Sequence, residues 1–228
     1  MRLGVKHLLD IESLDRDQIE LILSTAQKFR SVSGSPPSRN KSLAGKIVVT
    51  AFFEASTRTL MSFEIAAVRL GADVMNVSTE LSSIVKGETL RDTVINLDAM
   101  SPDGLIIRHA QLGAPHTAAK VVRASVINAG DGSHEHPTQA LLDALTILDY
   151  RKRLDGLKIV LVGDILHSRV ARSNGFLLSK FGSEVVLCGP ETLLSRNLES
   201  IAPQVTTTTH LSEALEDADV VMGLRLQK

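Results

Sequence analysis

From Lys46 onward the sequence alternates short apolar runs with longer segments in which apolar residues recur at helical spacing. Strands that alternate with helices predict right-handed crossovers and a mainly parallel sheet, so this pattern indicates an α/β fold. Ligands of such sheets bind at the carboxyl ends of the strands. In this part of the chain the predicted strands are 47–53, 74–77, 105–107 and 126–127, and the predicted helices are 57–70, 88–100 and 115–123.

One helix precedes this alternation and a long one divides it. Residues 19–29 show helical spacing after Asp15, which can cap a helix, and the Ser/Gly/Pro-rich segment 31–40 predicts an exposed loop. The longest helical pattern, 137–153, is interpreted as a bridge to a second domain that repeats the alternation. The predicted elements of that domain are strands at 159–162, 185–187 and 220–222, a helix at 168–181 and a helix near Leu193.

We therefore predict two domains, residues 1–150 and residues 151–228, each with a central mainly parallel sheet flanked by helices. The chain stops at Lys228, directly behind a strand and without a closing helix. The second domain is accordingly expected to be incomplete.

The composition favours a globular protein with a small-molecule partner. The 228 residues carry a formal net charge of -1 with no long run of either sign, so neither a nucleic-acid surface nor a membrane surface is expected. The single cysteine, Cys188, cannot form an internal disulfide, and no charged-then-apolar leader opens the chain, which favours a reducing cytoplasm. Cys188 follows an apolar run and is interpreted as a buried core thiol. No apolar stretch approaches the ~20 residues of a membrane span.

The strongest local signal is the segment 52–59, in which an apolar strand runs into small hydroxyl residues and an arginine just as a helix begins. The N-terminus of a helix exposes N–H groups and the positive end of the helix dipole, and hydroxyls with a guanidinium can complete an anion site. A phosphate site is therefore indicated at Ser56, Thr57, Arg58 and Thr59. The alternative is an ordinary Ser/Thr helix cap beside a solvated arginine, and the local sequence favours both equally.

Further polar residues stand where the predicted strands end. Arg108 and His109 follow one strand, and the segment 136–139 follows another through the glycine-containing stretch 130–132. Because the carboxyl ends of parallel strands face the same crevice, a guanidinium, an imidazole, an amide and a phosphate site are expected to converge.

A metal site is the alternative interpretation of His134, Glu135 and His136, since two histidines one residue apart can meet one ion. Pro137 suits the first turn of the following helix, which places His136 at the helix cap and turns His134 elsewhere. No metal is therefore expected. The segment 163–164 after a predicted strand hints at a nucleotide fold, but no G-x-G-x-x-G follows, so no dinucleotide cofactor is expected.

Five segments, taken in order, resemble the aspartate and ornithine carbamoyltransferases. They are Ser-Thr-Arg-Thr at 56–59, Lys-Gly-Glu-Thr at 86–89, Arg-His at 108–109, Asn-Ala-Gly-Asp-Gly at 128–132 and His-Pro-Thr-Gln at 136–139. The segments 162–164, 168–173 and 225–228 resemble the catalytic chains of the aspartate enzymes in particular. The ornithine enzymes usually carry a cysteine at the position of Thr138 and a different acceptor loop.

The resemblance implies transfer of the carbamoyl group of carbamoyl phosphate to the amine of L-aspartate in pyrimidine biosynthesis, without a metal or cofactor. Amine attack places charge on the carbonyl oxygen, to which the family's arginine, threonine and histidine donate. The implied carbamoyl phosphate residues are Ser56, Thr57, Arg58, Thr59, Ser82, Arg108, His136 and Gln139, and the implied aspartate residues are Lys86, Arg169, Arg225 and Gln227. The implied catalytic residues are Arg58, Thr59, Lys86, Arg108 and His136.

In the family, Ser82 and Lys86 lie on a loop that reaches the neighbouring subunit's site, which implies a homotrimer. Without the resemblance, this segment is interpreted as a solvated polar loop. A regulatory chain or another pyrimidine-pathway enzyme is a further partner that the resemblance allows.

The resemblance also implies a C-terminal truncation, because family members continue past the position of Lys228 with more acceptor-loop residues and a helix that returns to the first domain. Two other hypotheses stay open at this point. One is a carbamoyltransferase for ornithine or another amine, and the other is a non-catalytic assembly partner.

Overall fold

The computed structural model describes residues 3–29, 41–77, 88–194 and 196–226. By their internal contacts the residues form two compact units. The first unit comprises Arg2–Leu9 and Ser24–Gly132, and the second comprises Asp10–Leu23 and Ser133–Lys228. These units are defined by contacts within the chain, and the boundary at residue 150 stays a prediction.

The first unit is built on a four-stranded parallel sheet in the order β2-β1-β3-β4. Each crossover between parallel strands is made by a helix, as the alternating pattern predicts. The strands are β1 (Ile47–Phe52), β2 (Asp73–Val77), β3 (Gly104–His109) and β4 (Ser125–Asp131). The helices are α1 (Arg16–Phe29), part of which belongs to the second unit, α2 (Thr57–Arg69), α3 (Leu90–Ala99) and α4 (Ala114–Ala119).

The central strands of this sheet are buried on both faces. Val49, Leu105 and Ile107 pack in one core cluster, and Phe52 and Ile106 pack in another on the opposite face. Strands covered on both sides need near-continuous apolar runs, which is why their positions were predictable.

The second unit contains another four-stranded parallel sheet, in the order β7-β6-β5-β8. The prediction of two parallel sheets flanked by helices is therefore confirmed. Its strands are β5 (Lys158–Val162), β6 (Glu184–Cys188), β7 (Val205–Thr208) and β8 (Val220–Gly223), and its helices are α5 (Pro137–Arg151), α6 (Arg169–Ser179) and α7 (Leu211–Leu215). Two 3-10 turns, Glu191–Leu193 and Arg196–Ile201, stand where a helix near Leu193 was predicted. Cys188 is buried, as expected of a core thiol.

Residues 10–14 are fixed to the second unit through their backbone. Glu135 accepts from the backbone N–H of Ile11 at 2.9 Å, and Lys180 donates to the carbonyl oxygens of Ile11 (2.9 Å), Glu12 (2.7 Å) and Leu14. The segment then enters α1, where Asp15 and Gln18 exchange side-chain and backbone hydrogen bonds of 2.7 and 2.9 Å. This reciprocal cap confirms the predicted role of Asp15.

Across the described ranges, no helix has the length and apolar character needed to span a membrane.

Candidate functional site

The turn from β1 into α2 presents the start of a helix at the carboxyl edge of the first sheet. Ser56 is the N-cap residue, and its hydroxyl donates to Thr59 Oγ1 at 3.0 Å instead of capping a backbone N–H. The first turn of α2 contains no acidic residue. Thr57 and Arg58 are exposed, and Thr59 is half-buried. The backbone N–H groups and the dipole of α2 are therefore available to an anion.

Arg108 lies at the neighbouring strand end and is 7% exposed. It is paired in register with Phe52, the last residue of β1. Its guanidinium donates to the backbone oxygen of Ala129 at 3.1 Å and forms an ion pair with Glu54 in the turn before α2. The structure thus brings a buried, paired guanidinium to the same sheet edge as Ser56 and Thr59, as the parallel direction of the strands predicted.

The glycine-containing stretch 128–132, which comprises the end of β4 and the residue after it, is held by a network of hydrogen bonds. Asn128 donates to Asp131 Oδ1 at 2.8 Å and accepts from the N–H of Gly130 at 2.8 Å. Asp131 Oδ2 accepts from the N–H of Gly113 at 2.7 Å. Gly132 has a φ of +49°, and a Cβ there would lie 2.7 Å from the oxygen of Ala110. These hydrogen bonds and the close approach at Gly132 fix the conformation of this stretch.

The ring of His109 is held in place by contacts within the protein. Its Nδ1 accepts from the N–H of Gln111 at 2.8 Å, and its ring packs against Phe53 with centroids 5.4 Å apart. Burial lowers the pKa of His109, although the negative charges of Glu54 and Asp131 oppose this effect. Nδ1 of His109 therefore serves as a hydrogen-bond acceptor for the backbone.

His136 is the N-cap residue of α5, and Pro137 is the first residue of that helix, which confirms the predicted arrangement. The backbone N–H of His136 donates to Ser173 Oγ at 2.9 Å, and its side chain is buried. Three residues further, Gln139 donates from Nε2 to Asp143 Oδ1 at 2.8 Å. Both predicted residues belong to the second unit and stand at the start of one helix.

Glu135 was the central residue of the alternative metal interpretation, and the structure gives it another role. It is fully buried, and its Oε2 accepts from the N–H of Ile11 and from the hydroxyl of Ser173 at 2.8 Å. Its Oε1 accepts a longer bond of 3.3 Å from the N–H of Glu12. Burial raises the pKa of the Glu135 carboxyl, and these hydrogen bonds limit the rise. Its carboxylate ties chain segments together inside the second unit.

The predicted aspartate residues follow two neighbouring strands of the second sheet. Ser168 caps α6 by accepting from the N–H of Ala171 at 3.1 Å, which makes Arg169 the first residue of the helix after β5. Arg225 follows β8, which pairs in parallel with β5, and it is exposed. Two arginines thus follow adjacent carboxyl ends, an arrangement suited to carboxylate groups.

Three predicted site residues, Ser82, Lys86 and Gln227, lie outside the described residues. Two polar partners were not predicted. Glu54 pairs with Arg108 across a separation for which no sequence pattern exists, whereas Asp143 stands four residues after Gln139, a helical spacing at which glutamine and aspartate often bond.

The chain resembles carbamoyltransferases over most of its length. Residues 6–149 match the family described as aspartate/ornithine carbamoyltransferase, carbamoyl-P binding domain. The aspartate carbamoyltransferase catalytic subunit of Solibacter usitatus is 55% identical over 220 residues, which cover 96% of this chain and 73% of the relative. That of Syntrophotalea carbinolica is 51% identical over 228 residues, which cover 100% of this chain and 72% of the relative.

Comparison with solved structures points to the same family. Aspartate transcarbamoylase from Trypanosoma cruzi in complex with carbamoyl phosphate and aspartate superposes with a TM-score of 0.90 at 35% identity, covering 99% of this chain and 73% of that one. The catalytic subunit of M. jannaschii aspartate transcarbamoylase gives a TM-score of 0.87 at 36% identity, covering 98% of this chain and 74% of that one. The paired arginine beside the start of α2 and the His-Pro cap of α5 thus stand in a chain that belongs to the aspartate/ornithine carbamoyltransferase family.

Proposed function

We propose that this chain is an enzyme that transfers the carbamoyl group of carbamoyl phosphate to the amine of L-aspartate. The products are N-carbamoyl-L-aspartate and phosphate, in de novo pyrimidine biosynthesis. The relatives reported above are named aspartate carbamoyltransferase catalytic subunits. The T. cruzi enzyme, which shares this fold, has been solved with carbamoyl phosphate and aspartate bound.

The donor phosphate binds at the start of α2. Ser56, Thr57, Arg58 and Thr59 supply backbone N–H groups, hydroxyls and a guanidinium, and Arg108 supplies a second guanidinium. The single observation that carries this assignment is the buried guanidinium of Arg108 beside an uncapped helix start that has no acid in its first turn. A dianion fits that combination because a helix dipole and a guanidinium both stabilise negative charge.

The transfer step exchanges one bond to the carbonyl carbon for another. The amine of aspartate forms a C–N bond and loses a proton. Phosphate leaves with the electron pair of the broken C–O bond and takes up that proton. Charge that develops on the carbonyl oxygen is stabilised by donors from Thr59, Arg108 and His136. The amide oxygen of Gln139 accepts from the carbamoyl NH2 group, and Lys86 adds a positive charge near the reacting groups.

The acceptor is held by its two carboxylates. Arg169 and Arg225, which follow adjacent strand ends, bind them together with Gln227 and Lys86. A second cationic amine, as in ornithine, would meet like charge there, so the acceptor is a dicarboxylate. The match of residues 6–149 to a carbamoyl-P binding domain supports a division near residue 150 into a donor-binding and an aspartate-binding domain.

The active form is a homotrimer in which Ser82 and Lys86 reach the site of a neighbouring subunit, and its compartment is the cytoplasm. Support for self-association comes from an apolar stripe on α2 made of Met61, Ile65 and Val68, which are 49%, 43% and 51% exposed. The spacing of four and three residues places the stripe on one face of the helix.

The test is product formation by the purified chain with carbamoyl phosphate and either L-aspartate or L-ornithine. Carbamoyl-aspartate alone is expected. Arg108→Ala should abolish turnover, whereas Arg69→Ala, an exposed arginine at the far end of α2, should leave it unchanged. Carbamoyl-ornithine as the product, or an Arg108→Ala variant as active as the parent, would refute the assignment.

A further inference from the structure

Gln139 is tied to Asp143 one turn further along α5. The amide Nε2 donates to Asp143 Oδ1 at 2.8 Å, and both side chains are half-buried. An amide presents a donor on one side and an acceptor on the other, whereas a carboxylate only accepts. The NH2 side of Gln139 must therefore face Asp143, which turns the amide oxygen away from it.

The second oxygen of Asp143 is held from the adjacent helix. Asn174 of α6 donates from Nδ2 to Asp143 Oδ2 at 2.9 Å and to the backbone oxygen of Val170 at 3.1 Å. Asn174 is 0% exposed. Because both neighbours are acceptors, the orientation of this amide is also determined by chemistry and not by shape alone.

The hydrogen bond between Gln139 and Asp143 depends on the charge state of Asp143. Burial raises the pKa of its carboxyl, and the hydrogen bonds from Asn174 and Gln139 oppose that rise because they favour the ionised form. The two donors also leave each oxygen with a defined partner, because Asn174 and Gln139 each direct an NH2 group toward the Asp143 carboxylate that lies between them.

Within the proposed function, on which this inference rests, the amide oxygen of Gln139 accepts from the carbamoyl NH2 group. An amide turned the other way would present its own NH2 to that group, and two donors would face each other. The terminal torsion of glutamine is broad and roughly two-fold, so only neighbours decide between the two orientations.

We propose that Asp143, held by Asn174, is a positioning residue that orients the amide of Gln139 and thereby makes the donor site prefer a carbamoyl group over an acyl group without an NH2. Acetyl phosphate is the matched probe, because a methyl group replaces the NH2 and the phosphate is unchanged. The preference is the ratio of the dissociation constants of acetyl phosphate and carbamoyl phosphate.

Asp143→Asn is the decisive variant because it keeps the size of the side chain. Asn174 must direct its NH2 toward Val170 O, so the new amide meets one donor on each side and cannot satisfy both. Gln139 is then free to turn. Calorimetry on the purified chain should show carbamoyl phosphate bound about tenfold more weakly, equivalent to about 1.4 kcal/mol, and acetyl phosphate bound within about twofold of the parent.

Two further variants distinguish a lost orientation of the Gln139 amide from a general loss of structure at the site. In a Gln139→Ala background, Asp143→Asn should change carbamoyl phosphate affinity by less than about twofold, because coupled residues give non-additive effects. Asp149→Ala, on the same helix, is the control and should keep the parent's preference.

An Asp143→Asn variant with the parent's preference would overturn the proposal. So would equal weakening of both ligands, or the same tenfold loss in the Gln139→Ala background. These outcomes are distinct from a failure of the proposed function, which would appear as a parent chain that forms no carbamoyl-aspartate or binds neither phosphate compound.

Discussion

Arg108 and Glu54 form an ion pair that joins the end of β3 to the turn after β1, with the arginine side chain 8% exposed and the glutamate side chain 30% exposed. A guanidinium with so little access to water needs a charged partner. Glu54 is that charged partner. An anion that approaches the start of α2 therefore competes with a carboxylate that already belongs to the chain.

Glu54→Gln should bind inorganic phosphate more tightly than the parent, by roughly threefold to tenfold at low salt, because removing one negative charge strengthens the local positive potential. Titration calorimetry at two salt concentrations measures the change. Glu184→Gln, which removes an exposed glutamate at the start of β6, is the control. Weaker phosphate binding by Glu54→Gln would mean that Glu54 acts by orienting Arg108.

Gly132→Ala should destabilise the protein more than Gly45→Ala does. Both glycines have positive φ, +49° and +73°, so each alanine pays about 1–2 kcal/mol for a left-handed conformation. At Gly45 a Cβ meets open space, whereas at Gly132 it lies 2.7 Å from a backbone oxygen. Urea unfolding should therefore show at least about 1 kcal/mol of additional loss at Gly132. Equal losses would show that the loop relaxes around the added atom.

Glu135→Gln should change how stability depends on pH. Burial raises the pKa of Glu135 above its ordinary value of 4.5, so the folded protein binds this proton more tightly than the unfolded chain. Its contribution to stability is therefore present below pH 4.5 and is lost as the pH rises through the raised pKa. Glutamine keeps an acceptor for Ile11 N–H and Ser173 and does not ionise.

The measurement is the free energy of unfolding of the parent and of Glu135→Gln from pH 4 to pH 7. The variant should gain stability relative to the parent as the pH rises. A difference between parent and variant that stays constant with pH would rule out a raised pKa at this site.

Met61→Glu should prevent self-association, because a charge in the apolar stripe of α2 would have to be desolvated in an interface. Sedimentation velocity should show a smaller species than the parent. Ser62→Glu places the same charge one residue further on the exposed surface and is the control. A Met61→Glu variant that associates like the parent would place the interface elsewhere.

The central strands were predictable from sequence, and an edge strand was not. Ile47 to Val49 and Leu105 to Ile107 form continuous apolar runs because helices cover both faces of those strands. The strand Val205–Thr208 lies at the edge of its sheet, is only partly buried, and contains three threonines. Its β-branched residues favour a strand, but a single valine among threonines shows neither an apolar run nor an apolar alternation. The five-residue helix α7 is likewise too short to show a helical period.

The candidate site was predictable where its residues follow strand ends. Arg108 and Ser56 both stand at the carboxyl ends of parallel strands, and such ends share one edge of the sheet. Partners such as Glu54 or Asn174 were not predictable, because they come from distant parts of the sequence and depend on the geometry of packing. Asp143 is the exception, because it stands four residues after Gln139, and this helical spacing can be seen in the sequence.

The anchoring of residues 10–14 has a consequence for biosynthesis. The N–H of Ile11 meets its acceptor on Glu135, 124 positions later, and its carbonyl meets Lys180, 169 positions later. A ribosome adds about 5–20 residues per second, so this segment waits for on the order of ten seconds or more before its partners have been synthesised. All four strands of the first sheet precede Glu135 in the sequence, so a nascent chain can close its second unit only after the strands of the first have been synthesised.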